Sequence, residues 1–125
     1  MRILLVDDQD TMIRIIKNLL SDIGYTDVTT AFNGQKACEI LSKETIELVI
    51  SDWNMPNMTG LDLLKHVRSD PKLANTPFIM VTAEAEKDNI VAAIQADVDQ
   101  YIVKPFKQDD LENKITLALK KRGKA

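Results

Sequence analysis

The segment Ile46-Glu47-Leu48-Val49-Ile50-Ser51-Asp52-Trp53-Asn54-Met55-Pro56 decides the fold of this chain. Its first six residues are mostly apolar and rich in β-branched side chains, a pattern that predicts a short, buried parallel strand. Asp52 closes this strand, and Pro56 and Gly60 interrupt the pattern before a helical period begins at Leu61. A carboxylate at the carboxyl end of a central parallel strand lies where open α/β sheets bind their ligands.

The first predicted strand also runs into acidic residues. Its apolar residues, Ile3-Leu4-Leu5-Val6, are followed directly by Asp7 and Asp8. Burying these carboxylates beside Asp52 is costly without a cation, because like charges raise one another's pKa. Hard divalent cations take oxygen ligands. We therefore expect Asp7, Asp8 and Asp52 to form a Mg²⁺ site.

The composition is that of one globular domain over residues 1–125, with 45% hydrophobic and 28% charged residues. The net charge of −3 gives no electrostatic basis for binding nucleic acid. No apolar run approaches the roughly 20 residues of a membrane span, and Met1-Arg2 leads into a strand without a signal peptide. Cys38 is the only cysteine, which excludes an intramolecular disulfide and favours a cytoplasmic location.

Short apolar runs alternate with longer helical periods, which is typical of βα units and a parallel sheet. The pattern predicts strands at 2–6, 27–31, 46–51, 77–81 and 99–103 and helices at 10–23, 34–43, 60–69, 85–95 and 107–121. The second strand has the weakest pattern and is expected at an edge of the sheet. Five such units predict an α/β, flavodoxin-like, doubly wound sheet with strand order 2-1-3-4-5 and a switch point between strands 1 and 3.

Two further strand ends carry polar residues. The fourth predicted strand ends at Thr82 and the fifth at Lys104, on the same edge as the three carboxylates. An aspartate can accept a phosphoryl group as an acyl phosphate. A metal and a lysine would offset charge on the transferred oxygens, and Thr82 could hydrogen-bond the arrived phosphate. The sequence therefore predicts a phosphoryl-accepting site with Asp52 as nucleophile.

Asp7-Asp8, Asp52, Thr82-Ala83 and Lys104-Pro105 match, in order and spacing, the signature of response-regulator receiver domains, which the chain resembles over nearly its whole length. Within that family, the stretches after Asp52 and around Thr82 resemble the single-domain chemotaxis regulators. The resemblance implies that Asp52 takes a phosphoryl group from a sensor histidine kinase. It also implies that Asp8, Asp52 and the Asn54 carbonyl bind Mg²⁺, with Asp7 acting largely through water.

The same resemblance implies how the protein would switch. Thr82 and Tyr101 would form the switch pair, with Tyr101 turning inward as Thr82 engages the phosphate. Asn54 and Glu84 occupy positions that tune hydrolysis of the acyl phosphate in such domains. The Lys104-Pro105 peptide bond is expected to be cis, as occurs mainly before proline.

The function implied by the resemblance is a stand-alone phosphoacceptor switch, with self-phosphorylation and self-dephosphorylation but no classical enzyme activity. The expected protein is a monomer without nucleic-acid or membrane partners. The implied partners are the sensor histidine kinase, a flagellar motor switch protein or another target, and a dedicated phosphatase. A non-chemotactic receiver or a phosphorelay intermediate is the alternative.

Two other classes use similar parts. Haloacid-dehalogenase phosphatases need a second aspartate two residues after the nucleophile, where this chain has Asn54. A flavodoxin-like electron carrier must cradle a flavin phosphate in its first loop, which Asp7 and Asp8 would repel. The receiver interpretation fits the residues better than either.

The chain departs from the family pattern at Thr59, where an acidic residue is usual, and at Asp97, where glycine is usual. Asp97 tolerates the left-handed conformation better than most residues. Trp53 is expected to be partly exposed beside the site. Further expectations are a semi-buried Cys38 on the second helix, an exposed His66 on the third, and a fraying, solvated basic tail from Lys120 to Lys124.

Overall fold

The fold was analysed in a computed structural model that describes residues 1–83 and 87–124. Its strands are β1 (Ile3–Val6), β2 (Val28–Ala31), β3 (Leu48–Asp52), β4 (Phe78–Thr82) and β5 (Gln100–Val103). Its helices are α1 (Asp10–Ile23), α2 (Gly34–Lys43), α3 (Gly60–Ser69), α4 (Lys87–Gln95) and α5 (Gln108–Lys121). Each predicted element is present, and its described ends lie within two residues of the prediction.

The five strands form one parallel sheet in the order β2-β1-β3-β4-β5, which confirms the predicted topology and places β2 at an edge. β1 pairs with both β2 and β3, so the chain reverses its direction of winding there. The carboxyl ends of β1 and β3 therefore lie side by side at the switch point of the sheet.

Alternating side chains of the strands bury two separate cores. Leu4, Val6 and Val49 face a core completed by apolar residues of α2, α3 and α4. Ile3, Leu5, Leu48 and Ile50 face a second core completed by α1 and α5. Because both faces of the sheet are covered, β1, β3 and β4 are buried along their whole length.

The helix ends follow the local chemistry of the sequence. Gly24 ends α1 with a φ of 114°, a left-handed conformation that glycine adopts at little cost. The Asn33 side chain caps α2 by accepting a hydrogen bond from the amide of Lys36. Thr59 forms a capping box with Asp62 at the start of α3. The departure at Thr59 thus supplies the helix with its own cap.

The prediction of a solvated basic tail from Lys120 to Lys124 is wrong for Arg122, whereas Lys121 is exposed and also bonded. The Lys121 ammonium donates a hydrogen bond to the Val98 carbonyl, and the Arg122 guanidinium is only 12% exposed. Arg122 binds the buried Asp99 carboxylate at 2.7 Å and the Asp97 carboxylate at 2.8 Å. The Arg122 side chain leaves solvent for partners that are distant in the sequence, which a local charge pattern does not reveal.

Asp97 and Asp99 join these basic residues to α3, in what we call the basal ion cluster (Arg68, Asp97, Asp99, Lys121 and Arg122). Arg68 of α3 binds Asp99 at 2.8 Å and donates to the carbonyls of Asp97, Ala74 and Thr76. Asp97 has a φ of 66°, as expected for a residue in the place of glycine. Its strained backbone is therefore held by charged partners from two helices.

Candidate functional site

The functional residues predicted from the sequence meet at the carboxyl edge of the sheet. Asp7 and Asp8 follow β1, Asp52 ends β3, Thr82 ends β4 and Lys104 follows β5. The lateral order of the strands brings these five residues together although they are spread over nearly one hundred positions of the chain. Parallel strands all end at the same edge, so the topology alone produces the cluster.

The three carboxylates lie close to one another. Asp7, Asp8 and Asp52 each place a carboxylate oxygen within 4.8 Å of the others. Asp7 and Asp52 are buried, with 1% and 6% exposure, whereas Asp8 is exposed. A cation could therefore reach the cluster from the side of Asp8.

Lys104 is the cationic partner of this cluster. Its ammonium lies 3.0 Å from Asp52 Oδ1 and 3.6 Å from Asp7 Oδ2. The backbone amide of Lys104 also donates to the Thr82 carbonyl at 2.7 Å, which fixes the end of β5 against the end of β4. The Lys104-Pro105 peptide bond is cis, as predicted.

Burial raises the pKa of Asp52, and the hydrogen bond and positive charge of Lys104 oppose this rise. Burial also raises the pKa of Asp7, although a hydrogen bond from the Gln9 amide at 2.9 Å acts to lower it. Each of these carboxylates is further affected by a neighbouring negative charge. One lysine therefore does not fully offset the cost of ionising the cluster.

The buried Asp7 Oδ2 accepts no hydrogen bond from the residues that the structure describes, although the Lys104 ammonium lies 3.6 Å away. Buried polar atoms normally have a partner, so an oxygen of this kind suits a bound cation or its water. An all-oxygen set of carboxylates is also the donor chemistry that Mg²⁺ prefers. The acidic pocket thus fits a hard divalent cation.

Asn54 lies exposed in the loop after β3, two residues beyond Asp52. Thr82 is buried, with 1% exposure, at the last position of β4. Tyr101 is half-buried on β5, where it pairs with Met80 of β4. Glu84, the remaining predicted site residue, lies outside the described residues.

The expectation that Trp53 is partly exposed is wrong, because its exposure is only 9%. Its indole packs against the core on the α2, α3 and α4 side and meets the Tyr101 ring edge-on, with centroids 6.5 Å apart at 67°. The two-residue alternation of β3 places Val49 and Trp53 on the same side of the sheet, and the Trp53 amide still donates to the Val81 carbonyl at 2.9 Å. The prediction of partial exposure rested on the charged neighbour Asp52 and not on this alternation, which already placed Trp53 on a core-facing side of the sheet.

The chain matches the model of the response regulator receiver domain over residues 3–116. It belongs to this family. It is 50% identical over 115 residues to the chemotaxis protein CheY of Pseudomonas aeruginosa, covering 92% of this chain and 93% of that protein. It is 48% identical to the chemotaxis protein CheY-3 of Vibrio cholerae, covering 92% and 88% of the two chains.

Solved structures agree with this assignment. The chemotaxis response regulator CheY4 of Vibrio cholerae is 31% identical, with a TM-score of 0.86 over 94% of this chain and 98% of that one. A receiver domain protein from Clostridium thermocellum is 28% identical, with a TM-score of 0.87 over 98% and 96%. The chain is accordingly a CheY-like receiver that accepts phosphoryl groups in two-component signalling, a switch and not a classical enzyme.

No helix within residues 1–83 and 87–124 has both the length and the apolar character needed to cross a membrane.

Proposed function

We propose that the protein is a response regulator that is phosphorylated on Asp52 by a sensor histidine kinase. The observation that carries this proposal is the 3.0 Å contact between the Lys104 ammonium and the Asp52 carboxylate within the cluster of Asp7, Asp8 and Asp52. A buried nucleophile beside one cation and two further acids has the parts that phosphoryl acceptance needs.

In the proposed reaction, a carboxylate oxygen of Asp52 attacks the phosphorus of a phosphohistidine. An O–P bond forms, the P–N bond breaks, and the imidazole leaves with the electron pair of that bond. Burial raises the pKa of Asp52, Lys104 opposes this rise, and the same ammonium would then face the negative oxygens of the phosphoryl group. The Thr82 hydroxyl would bond the arrived group from the neighbouring strand end.

We assign the proposed Mg²⁺ to Asp8, Asp52 and the Asn54 carbonyl, with Asp7 acting largely through water. When bound, the ion would offset the charge that develops on the phosphoryl oxygens. Asn54 and Glu84 would tune hydrolysis of the acyl phosphate. Two observations support this assignment: Asp7 Oδ2 accepts no hydrogen bond within residues 1–83 and 87–124, and the carboxylates of Asp8 and Asp52 lie close to it.

Asp52→Asn tests the phosphoacceptor. The variant keeps the shape of the side chain but removes the nucleophilic oxygen, so phosphorylation by acetyl phosphate with Mg²⁺ should fall below detection. Intact mass spectrometry would measure the added phosphoryl group, and Asp22→Asn, which makes the same change at an exposed carboxylate of α1, is the control. A phosphoryl group found on Asp7 or Asp8 of the Asp52→Asn variant would refute the assignment.

We further propose that phosphorylation controls binding to a target, with the flagellar motor switch as the leading candidate. The two curated relatives named above are both chemotaxis proteins. Three apolar side chains of α4 and β5 are exposed and offer a contact surface: Val91, Ile94 and Val103. Tyr101 lies on the same strand as Val103 and touches Trp53, the neighbour of Asp52, which provides a short route from the site to this surface.

Thr82→Ala tests the switch. The variant removes the hydroxyl that would sense the phosphate but leaves Asp52, Lys104 and the carboxylates in place. It should still be phosphorylated, yet gain little affinity for a purified motor switch protein, because a ligand shifts a conformational equilibrium only through differential binding. Thr82→Ser, which keeps the hydroxyl, is the matched control. Equal gains in affinity for the parent and Thr82→Ala would show that Thr82 does not couple the two sites.

A further inference from the structure

The loop between β3 and α3 has a constrained backbone. The Met58 amide donates to the Pro56 carbonyl at 2.8 Å, which closes a γ-turn centred on Asn57 with a φ of 69°. A γ-turn with positive φ at its centre is rare and strained. The Gly60 amide donates to the Trp53 carbonyl at 2.9 Å and closes the loop at its base. A strained turn of this kind persists only where surrounding contacts hold it.

The Met58 side chain supplies such a contact with α2. A Cβ atom added to Gly34 would lie 2.6 Å from Met58 Sδ, 2.7 Å from its Cγ and 2.8 Å from its Cβ. The methionine is therefore seated directly on the backbone at the first residue of α2. One helical turn later, the Cys38 thiol donates to Met58 Sδ at 3.9 Å. Both sulfur-containing side chains pack at the margin of the same core.

This contact lies between two segments that lead to the acidic pocket. The loop on the Met58 side carries Asn54, and Asp52 precedes it. On the Gly34 side, the chain has just left β2, whose last residue, Ala31, accepts a hydrogen bond from the Asp7 amide at 3.1 Å. The contact therefore ties the loop that bears Asn54 to the helix beside the Asp7 strand end.

We propose that Met58 is a positioning residue, which holds the β3–α3 loop against Gly34 of α2 and so places the Asn54 carbonyl for the cation. This inference rests on the proposed Mg²⁺-dependent function. Without the Met58 side chain, the strained turn around Asn57 loses its support and relaxes, while the three carboxylates stay intact. The loop would then present Asn54 less often in the geometry that the small ion requires.

Four variants test this role. Met58→Ala removes the contact, and Met58→Leu keeps most of its volume. Gly34→Ala pushes the methionine away from the opposite side, and Gln35→Ala changes an exposed neighbour on α2 as the matched control. Calorimetric titration with MgCl₂ and the fluorescence of Trp53 would report cation binding. Urea unfolding would report stability, and amide exchange at Met58 and Gly60 in the metal-free protein would report the loop itself.

We expect Met58→Ala and Gly34→Ala to bind Mg²⁺ about tenfold more weakly, as is typical when the support of a metal ligand is lost. Met58→Leu and Gln35→Ala should bind within about twofold of the parent. The Met58 and Gly60 amides should exchange faster in Met58→Ala without metal. If Met58→Ala is less stable in urea but binds Mg²⁺ as tightly as the parent, Met58 contributes only to packing and the proposal is overturned.

The design separates this inference from the function on which it rests. A parent protein that fails to bind Mg²⁺ would contradict the proposed Mg²⁺ dependence. The loop role would then be judged by amide exchange alone, where unchanged rates in Met58→Ala would overturn it and faster rates would support it.

Discussion

The two ends of the sheet both place aspartates among ion pairs, but their charge balance is opposite. At the carboxyl end, the described residues Asp7, Asp8 and Asp52 share one ammonium, that of Lys104. At the amino end, the basal ion cluster surrounds two aspartates with three basic side chains. The carboxyl end therefore carries an excess of negative charge that includes two buried carboxylates, whereas the amino end provides enough positive charge to balance its aspartates.

This difference separates a binding site from a structural contact. The Asp99 carboxylate is fully enclosed, yet it accepts hydrogen bonds from Arg68, Arg122 and the Phe78 amide at 2.7–2.8 Å. Asp7 Oδ2 is equally enclosed and accepts none from the described residues. Buried carboxylates are therefore a poor marker of function by themselves, and an uncompensated one is a better marker.

The largest expected effect is at the amino end. Asp99→Asn keeps the size of the side chain but leaves the guanidinium groups of Arg68 and Arg122 without their buried countercharge. The free energy of unfolding should fall by about 3 kcal/mol, as for other buried ion pairs that lose one partner. Urea unfolding would measure this loss, while phosphorylation by acetyl phosphate should persist in the folded fraction. A loss below about 1 kcal/mol would mean that the cluster is only a surface contact.

A smaller effect of opposite sign is expected at the carboxyl end. Asp7→Asn removes one negative charge from a cluster in which burial raises the pKa of Asp7 and of Asp52. In buffer without divalent cations, the free energy of unfolding should rise by about 1 kcal/mol. Saturating MgCl₂ should cancel this advantage, because a ligand stabilises the state that binds it and the variant binds it more weakly. Destabilisation of Asp7→Asn in metal-free buffer would remove the contrast between the two ends.

The smallest expected effect is a difference in pH dependence between the ends, measured as urea stability of the metal-free protein. The pKa of Asp7 in the folded protein lies above its ordinary value of 3.8, so ionisation of Asp7 lowers the free energy of unfolding. The free energy of unfolding of the parent should therefore rise relative to that of Asp7→Asn as the pH falls toward that value. Burial acts to raise the pKa of Asp97, but Arg122, Arg68 and Lys121 lower it below 3.8. The parent should therefore lose its advantage over Asp97→Asn as the pH falls below that value. Parallel pH profiles for the two variants would contradict the assigned directions.

The sequence predicted the elements, and which candidate site residues would lie close together, because both follow from local patterns and strand order. Buried strands such as Leu48–Asp52 appear as short apolar runs, and the residues that end them mark one edge of the sheet. Once the order of the strands was predicted, the meeting of Asp7, Asp52 and Lys104 followed from topology. Their proximity could be predicted without knowing the conformation of any side chain.

The misses all involve contacts between distant residues. Arg122 and Asp99 are 23 positions apart, and the charge pattern around Arg122 is that of a solvated helix end. Trp53 is buried against the core under α2, α3 and α4, where its ring meets that of Tyr101 from β5. The Met58 side chain can pack on α2 because Gly34 has no side chain there. In the sequence, Gly34 is visible only as a residue of low helix propensity. Such contacts are decided by packing, which a single sequence encodes only indirectly.

The position of the last turn of α5 indicates where a label or linker can be attached without covering the candidate site. Lys121 and Arg122 contact the segment that leads into β5. This end of the helix therefore lies at the amino ends of the strands, and Asp52 lies at their carboxyl ends. A fluorescent reporter or a surface linker joined after Lys124 would therefore extend away from the phosphoryl-accepting edge. Such an attachment would leave that edge open to a phosphodonor on a sensor chip.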